Sequence, residues 1–209
     1  IWMRRLALVL VALVGLFAAG GASATTITLS TVSSDATLAS DLDATLDFSV
    51  SGTTMTLTAT NTGSLFNVNA IYFNGSASVT SLSLVSATHS ANGDVLAAWA
   101  PIELGSSADG FGAFDYALTD GVGETNPNIL NSGENVVFVF TVNAGLTDAD
   151  FIVQNGSGYF AAAKFVNGPD DPESPGDEDS AFGTVPEPGT IAFLVVGLAG
   201  LGQLGRPRD

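Results

Sequence analysis

An all-β body built from two packed antiparallel sheets is the fold class that this sequence predicts, and three observations predict it. Apolar residues recur at every second position along several short segments, which buries one face of a strand and wets the other. Between positions 25 and 90, 27 of the 66 residues are Ser or Thr. Threonine favours strands over helices, so that density argues against helices there. Turn residues (Gly, Asn, Pro) separate the alternating segments at short, regular spacing, with no helical period between them. The architecture expected is an antiparallel β-sandwich of the immunoglobulin-like or jelly-roll type, with a closed β-barrel as the alternative.

In chain order, residues 25–32 form a first strand through Ile27 and Leu29. Residues 41–50 place Leu42, Ala44, Leu46, Phe48 and Val50 on one face and Asp41, Asp43, Thr45, Asp47 and Ser49 on the other. Ser51-Gly52 turns the chain, and residues 53–61 return with Met55, Leu57 and Ala59 inward. Residues 67–73 are a further strand, with Asn74-Gly75 as its turn, and residues 79–88 alternate through Leu82 and Leu84. Asn92-Gly93 turns into a strand at 95–100 that Pro101 ends. Residues 106–112 read as a loop, 112–118 as a strand and 120–132 as a second loop. Residues 134–143 carry Val136, Phe138, Phe140 and Val142 on one face and Val137 and Val139 on the other, the pattern of a central strand. Short strands at 148–153 and 158–166 complete the body.

The two ends read differently. Met3-Arg4-Arg5, the apolar run 6–19 and Ala22-Ser23-Ala24 have the order of a secretory signal peptide. Ala22 and Ala24 are the small residues that a signal peptidase recognises, so cleavage is expected after Ala24. The other end begins at 185 with Val185, Pro186, Glu187, Pro188 and Gly189. An uncharged, largely apolar stretch follows as a short membrane segment at 190–205, and Arg206 and Arg208 lie beyond it. The two prolines keep Glu187 in an extended peptide. The arginines sit where the cytoplasmic end of a membrane segment is expected to carry them. The organisation expected is therefore a signal peptide at 1–24, a β-sandwich at 25–167, an acidic Pro/Gly-rich spacer at 168–184 and a tail at 185–209.

Charge narrows the function. The chain has a formal net charge of −16 and no cysteine. Lys164 is the one basic residue of the body, against 19 acidic residues between 25 and 184. So acidic a body repels phosphate, which argues against nucleic-acid partners. The absence of cysteine removes disulfides, thiol catalysis and zinc–thiolate sites.

The sequence carries few catalytic constellations. His89 is the only histidine, no Gly-x-Ser-x-Gly elbow surrounds any serine, and no phosphate-binding glycine loop occurs. A lone histidine beside a turn is read as a surface residue, and the protein is read as not an enzyme. The carboxylates Asp170, Asp171, Asp177 and Asp179 of the spacer are hard oxygen ligands of the kind calcium takes, although their spacing is not that of an EF-hand. Asn74-Gly75-Ser76 and Asn155-Gly156-Ser157 fit the glycosylation pattern, but Asn-Gly turns are the simpler reading. Trp99 is read as a core residue.

The tripartite tail, together with the signal peptide, resembles the PEP-CTERM sorting signal of exported bacterial proteins. The segments 110–116, 132–138, 163–169 and 179–183 are similar to blocks that recur in proteins of that family. The resemblance implies recognition of Pro186, Glu187 and Pro188 by an exosortase-type sorting protease after a signal peptidase has acted. Arg206 and Arg208 would hold the tail in the membrane until then. It implies an exported surface or extracellular-matrix protein that associates with extracellular polysaccharide and is released to the cell surface or beyond. The alternative is a secreted carbohydrate-binding module or carbohydrate-active enzyme that uses the same export route.

Overall fold

The computed structural model describes residues 24–30, 42–108, 110–120 and 127–166. They form an antiparallel, almost entirely β structure of twelve strands, with one four-residue helix and one 3₁₀ turn. The expected membrane segment at 190–205 lies outside the described residues. Among those residues no helix is long and apolar enough to cross a membrane.

The larger sheet has six strands in the order β1 (Thr25–Leu29), β2 (Ala44–Ser51), β3 (Thr54–Asn61), β11 (Asn135–Val142), β5 (Leu82–His89) and β6 (Gly93–Asp94). Its register follows from the alternation. Leu46 pairs with Ala59, which pairs with Val136, so apolar side chains from neighbouring strands stand in rows on the inner face. The β2–β3 hairpin closes through a Ser51–Thr54 pair around Gly52 and Thr53, and Gly52 adopts a φ of 63° that suits glycine. As its two apolar faces suggest, β11 is central, hydrogen-bonded to β3 on one side and β5 on the other.

The smaller sheet has the order β12 (Ala161–Val166), β4 (Asn67–Phe73), β10 (Tyr116–Thr119) and β7 (Glu103–Leu104). Both sheets contribute to one apolar core. Phe73 of the small sheet meets Phe48 and Phe140 of the large one, with ring centroids 5.7 and 6.2 Å apart. Neither sheet closes on itself: each strand order is open, so the barrel alternative is not adopted.

The small sheet is covered on its other face as well. A two-stranded excursion, β8 (Ser107–Ala108) with β9 (Gly112–Ala113), lays Phe111 and Phe114 over Ala70, Tyr72, Ala117 and Ala162. Residues 106–112, expected as a loop, therefore contain a short paired strand. The strand expected at 112–118 is split between β9 and β10, with Phe114 turned inward between them.

Two expected strands are turns of helix. Residues 95–100 contain a single helical turn, α1 (Leu96–Trp99). Leu-Ala-Ala-Trp holds good helix formers, and the Asp94 carboxylate accepts the Leu96 N–H at 3.0 Å. Residues 148–153 contain a 3₁₀ turn (Asp148–Phe151) with a capping box between Thr147 and Asp150. In both, the local side-chain-to-backbone hydrogen bonds outcompete a strand that would have no neighbour to pair with.

Candidate functional site

One end of the two sheets, opposite the Gly52 turn, gathers the polar residues that the core does not exclude. The row Leu29, Ala44, Asn61 ends the inner face of β1–β3 there. Asn61 is fully buried. Its amide donates to the carbonyls of Phe66 and Leu130 at 2.7 and 2.9 Å, and its oxygen accepts the Gly63 N–H at 3.1 Å. A polar residue at the inward position of an alternating strand must find such partners, because an unmet buried amide costs about 1–3 kcal/mol.

His89, the last residue of β5, lies two strands away, in the row of Ala59 and Val136. It is not on the surface, as its place near a turn suggested, but 1 % exposed. Its Nδ1 accepts the backbone N–H groups of Ala91 and Asn92 at 3.0 and 3.3 Å. The proton therefore sits on Nε2, which faces the Ile129 carbonyl at 3.3 Å and Glu134 Oε2 at 3.5 Å. Glu134 Oε2 in turn accepts from the Asn131 backbone and side-chain amides at 2.9 and 2.8 Å. Asn92 donates to the Pro127 carbonyl at 2.6 Å. This network joins the turn after β5 to the segment before β11.

Asp120 is buried at the same end, where its backbone N–H meets the Asn69 carbonyl at 2.9 Å. Burial pushes its carboxyl up to about 6, and the nearby His89 opposes the rise. A buried carboxyl with a raised pKa beside a histidine is a common catalytic arrangement. Here, however, both histidine nitrogens are committed to backbone groups, and the hydroxyl of the adjacent Ser90 accepts the Asn135 N–H at 3.1 Å. The arrangement ties together the loops at this end of the sheets.

Asn74 is another buried amide, and it is not a turn residue. Its amide donates to the carbonyls of Val153, Tyr159 and Phe160 at 3.0, 3.2 and 3.0 Å, and its oxygen accepts the Asp115 N–H at 3.3 Å. Asn155 does sit at a turn. Its oxygen accepts the N–H groups of Ser157 and Tyr159, while its amide donates to the Phe111 carbonyl at 2.8 Å.

Rings available for stacking on a sugar are the other feature to examine. Trp99 is fully buried, 5.3 Å from Phe138 between ring centroids. Tyr72 packs on Phe114, Tyr116 on Phe73 and Tyr159 on Phe111. The large apolar side chains exposed among the described residues are Leu65, Val85 and Leu104, none of them aromatic.

Of the residues singled out in the sequence, Ala24 is described. It is exposed and directly precedes β1. Ala22, the sorting residues Pro186, Glu187, Pro188, Arg206 and Arg208, and the calcium candidates Asp170, Asp171, Asp177 and Asp179 lie outside the described residues. Among the described residues no group of three or more acidic or histidine side chains is placed to hold a metal ion. No family model, no curated protein and no solved structure matches the chain significantly.

Proposed function

We propose that this chain is an exported, non-enzymatic surface or extracellular-matrix protein. A β-sandwich is its delivered part, and the C-terminal Pro186-Glu187-Pro188 signal is its most informative functional site. The observation that carries this reading is the tail itself. An extended acidic tripeptide, an uncharged apolar stretch and terminal arginines occur in one order behind an acidic spacer, in a chain that also opens with a signal-peptide pattern. In this reading the tail is a substrate. A sorting protease in the membrane cuts it and releases the body to the cell surface, where it meets extracellular polysaccharide.

Two features of the body support the reading. Cleavage after Ala24 leaves β1 whole, because β1 begins at Thr25, and removal of the tail leaves β12 whole, because β12 ends at Val166. The body thus keeps every described strand after both cuts. The sugar-binding alternative is less well supported, since the tryptophan and tyrosines of the described residues pack against other rings instead of forming a platform.

Mass spectrometry of the protein recovered from the producing cells and their medium tests the proposal. The expected mature chain begins at Thr25 and ends near Pro186–Pro188. Secreted material that retains residues 190–209 would refute it.

A further inference from the structure

The outer face of the six-stranded sheet differs from an ordinary wetted sheet surface. The registers place Thr28, Thr45, Thr60 and Asn135 in one outward row, and Ser49, Thr56, Val139 and Ser86 in another. Between them runs a row through Thr26, Asp47, Thr58, Val137 and Thr88. The middle row continues to Asp94 of β6, and Asp47 and Asp94 are the two charged side chains in these three rows, neither of them on the central strand; the Thr26 hydroxyl donates to Asp47. In a chain with a formal charge of −16, the centre of its broadest sheet face therefore carries no charge, and the two acids of these rows lie on β2 and on the edge strand β6.

The composition of the face is graded. At its centre lie Val137 and Val139 of the central strand, half-buried and flanked in register by Thr58 and Thr88 and by Thr56 and Ser86, with Val85 next to Ser86 on β5. Val85 lies where the β5 register slips opposite β11, and it is 53 % exposed. Hydroxyls and one amide surround that centre. An apolar middle, a polar rim and depletion of charge are the features that separate a protein interface from the rest of a surface. Hydroxyls both donate and accept, so such a face is complementary to itself.

Size and availability decide the partner. Four of the strands are eight residues long. At strand spacings of about 4.8 Å and rises of about 3.4 Å per residue, the face measures roughly 500–600 Å² in plan. That approaches the ~800 Å² each partner buries in a standard interface and fits a weak dimer. The far side of the molecule is not equivalent, because Phe111 and Phe114 already cover the small sheet. A single self-complementary face gives a closed two-fold pair and not a filament.

We propose that two copies of this chain pack sheet to sheet through the Thr/Val face of the larger sheet, as a weak two-fold dimer. This goes beyond the sorting proposal and does not depend on it.

Light scattering after size exclusion and sedimentation equilibrium test it on the full chain, across a wide dilution series at low and high salt. The expected result is a concentration-dependent dimer that tightens as salt screens the acidic bodies from each other. Val139→Lys and Thr58→Lys, each solvent-facing and each checked for folding by circular dichroism, should raise the dimer Kd at least about tenfold, because they bury a charge at the centre of the contact. A monomer under all conditions overturns the proposal. So does a dimer whose Kd neither lysine variant changes, which would place the contact elsewhere, the apolar chain ends included. Saturable binding of a neutral polysaccharide by the monomer, lost in both variants, would assign the face to that ligand and overturn the dimer equally.

Discussion

The indole of Trp99 packs edge-on against the ring of Phe138, with their centroids 5.3 Å apart and their planes 70° from parallel. Phe138 belongs to the central strand of the larger sheet. Trp99 ends the one-turn helix that leaves that sheet at β6 on the way to β7 of the smaller one. One aromatic pair therefore anchors the crossover between sheets. The same pair explains why α1 is a helix: a single turn aims Trp99 into the core, where it is fully buried.

Trp99→Ala should destabilise the fold by about 3–5 kcal/mol, the range for losing a large buried ring together with the cavity it leaves. Trp99→Phe should cost clearly less, since it keeps a ring against Phe138. It also removes an indole N–H that has no hydrogen-bond partner among the described residues. Urea unfolding followed by circular dichroism measures both. Equal losses would show that Trp99 does not anchor the crossover.

Asn74→Ala should cost about 2–4 kcal/mol. Three carbonyls and one N–H lose their partner together, and unmet buried polar groups cost about 1–3 kcal/mol each, less where water enters. Asn74→Asp should be at least as damaging at neutral pH, because a carboxylate would face three carbonyl oxygens. Asn155→Ala, at an exposed turn, should cost less than either. Melting curves of the three variants rank them.

Asp120 should make the fold less stable as pH rises. Its folded pKa of about 6 lies above the ordinary carboxylate value near 3.9, so keeping it ionised is a cost borne by the folded state. That cost is absent below about pH 4, grows between 4 and 6 and is complete above 6. Asp120→Asn should therefore be more stable than the parent by roughly 1–3 kcal/mol at pH 8 and lose that advantage at pH 4. Chemical unfolding at the two pH values is the measurement; a gap that does not change with pH contradicts the assignment.

Asp150 behaves in the opposite sense. The Thr147 N–H, the Ser76 hydroxyl and the Thr147 hydroxyl hold its carboxyl below the ordinary value. Its contribution is present above the unfolded value near 3.9 and is lost as pH falls through the folded one. Asp150→Ala should cost about 1 kcal/mol at pH 7, the usual size of a capping loss. The difference from the parent should close in strong acid.

The comparison of β2, β5 and α1 shows how much of this was legible in the sequence. Strict alternation through Leu42, Ala44, Leu46 and Phe48 reported its own burial, and all four are inward. The same logic failed at His89. Continued from Leu82 and Leu84, a period of two puts Ser86 and Thr88 inside and His89 outside. The register slip opposite Val139 and Phe140 inserts one residue at Val85 and reverses the phase, so Ala87 and His89 point into the core. A bulge leaves no mark in residue types, because it is set by the pairing of two distant strands. Asn61, by contrast, was visible in principle as a polar residue at the inward end of the Met55, Leu57, Ala59 series.

The sequence by itself determined the β character of the body, the hairpin at Gly52, the central place of β11 and the burial of Trp99. All of these follow from local alternation, turn chemistry and side-chain size. Tertiary structure alone decided the strand order within each sheet, the cover that Phe111 and Phe114 form, the inward turn of His89 and the assembly of an outer face with an uncharged centre from separate strands. Each of those depends on which strands pair and in what register. Pairing is a choice among distant segments that compete for the same hydrogen bonds, and no single segment encodes its outcome.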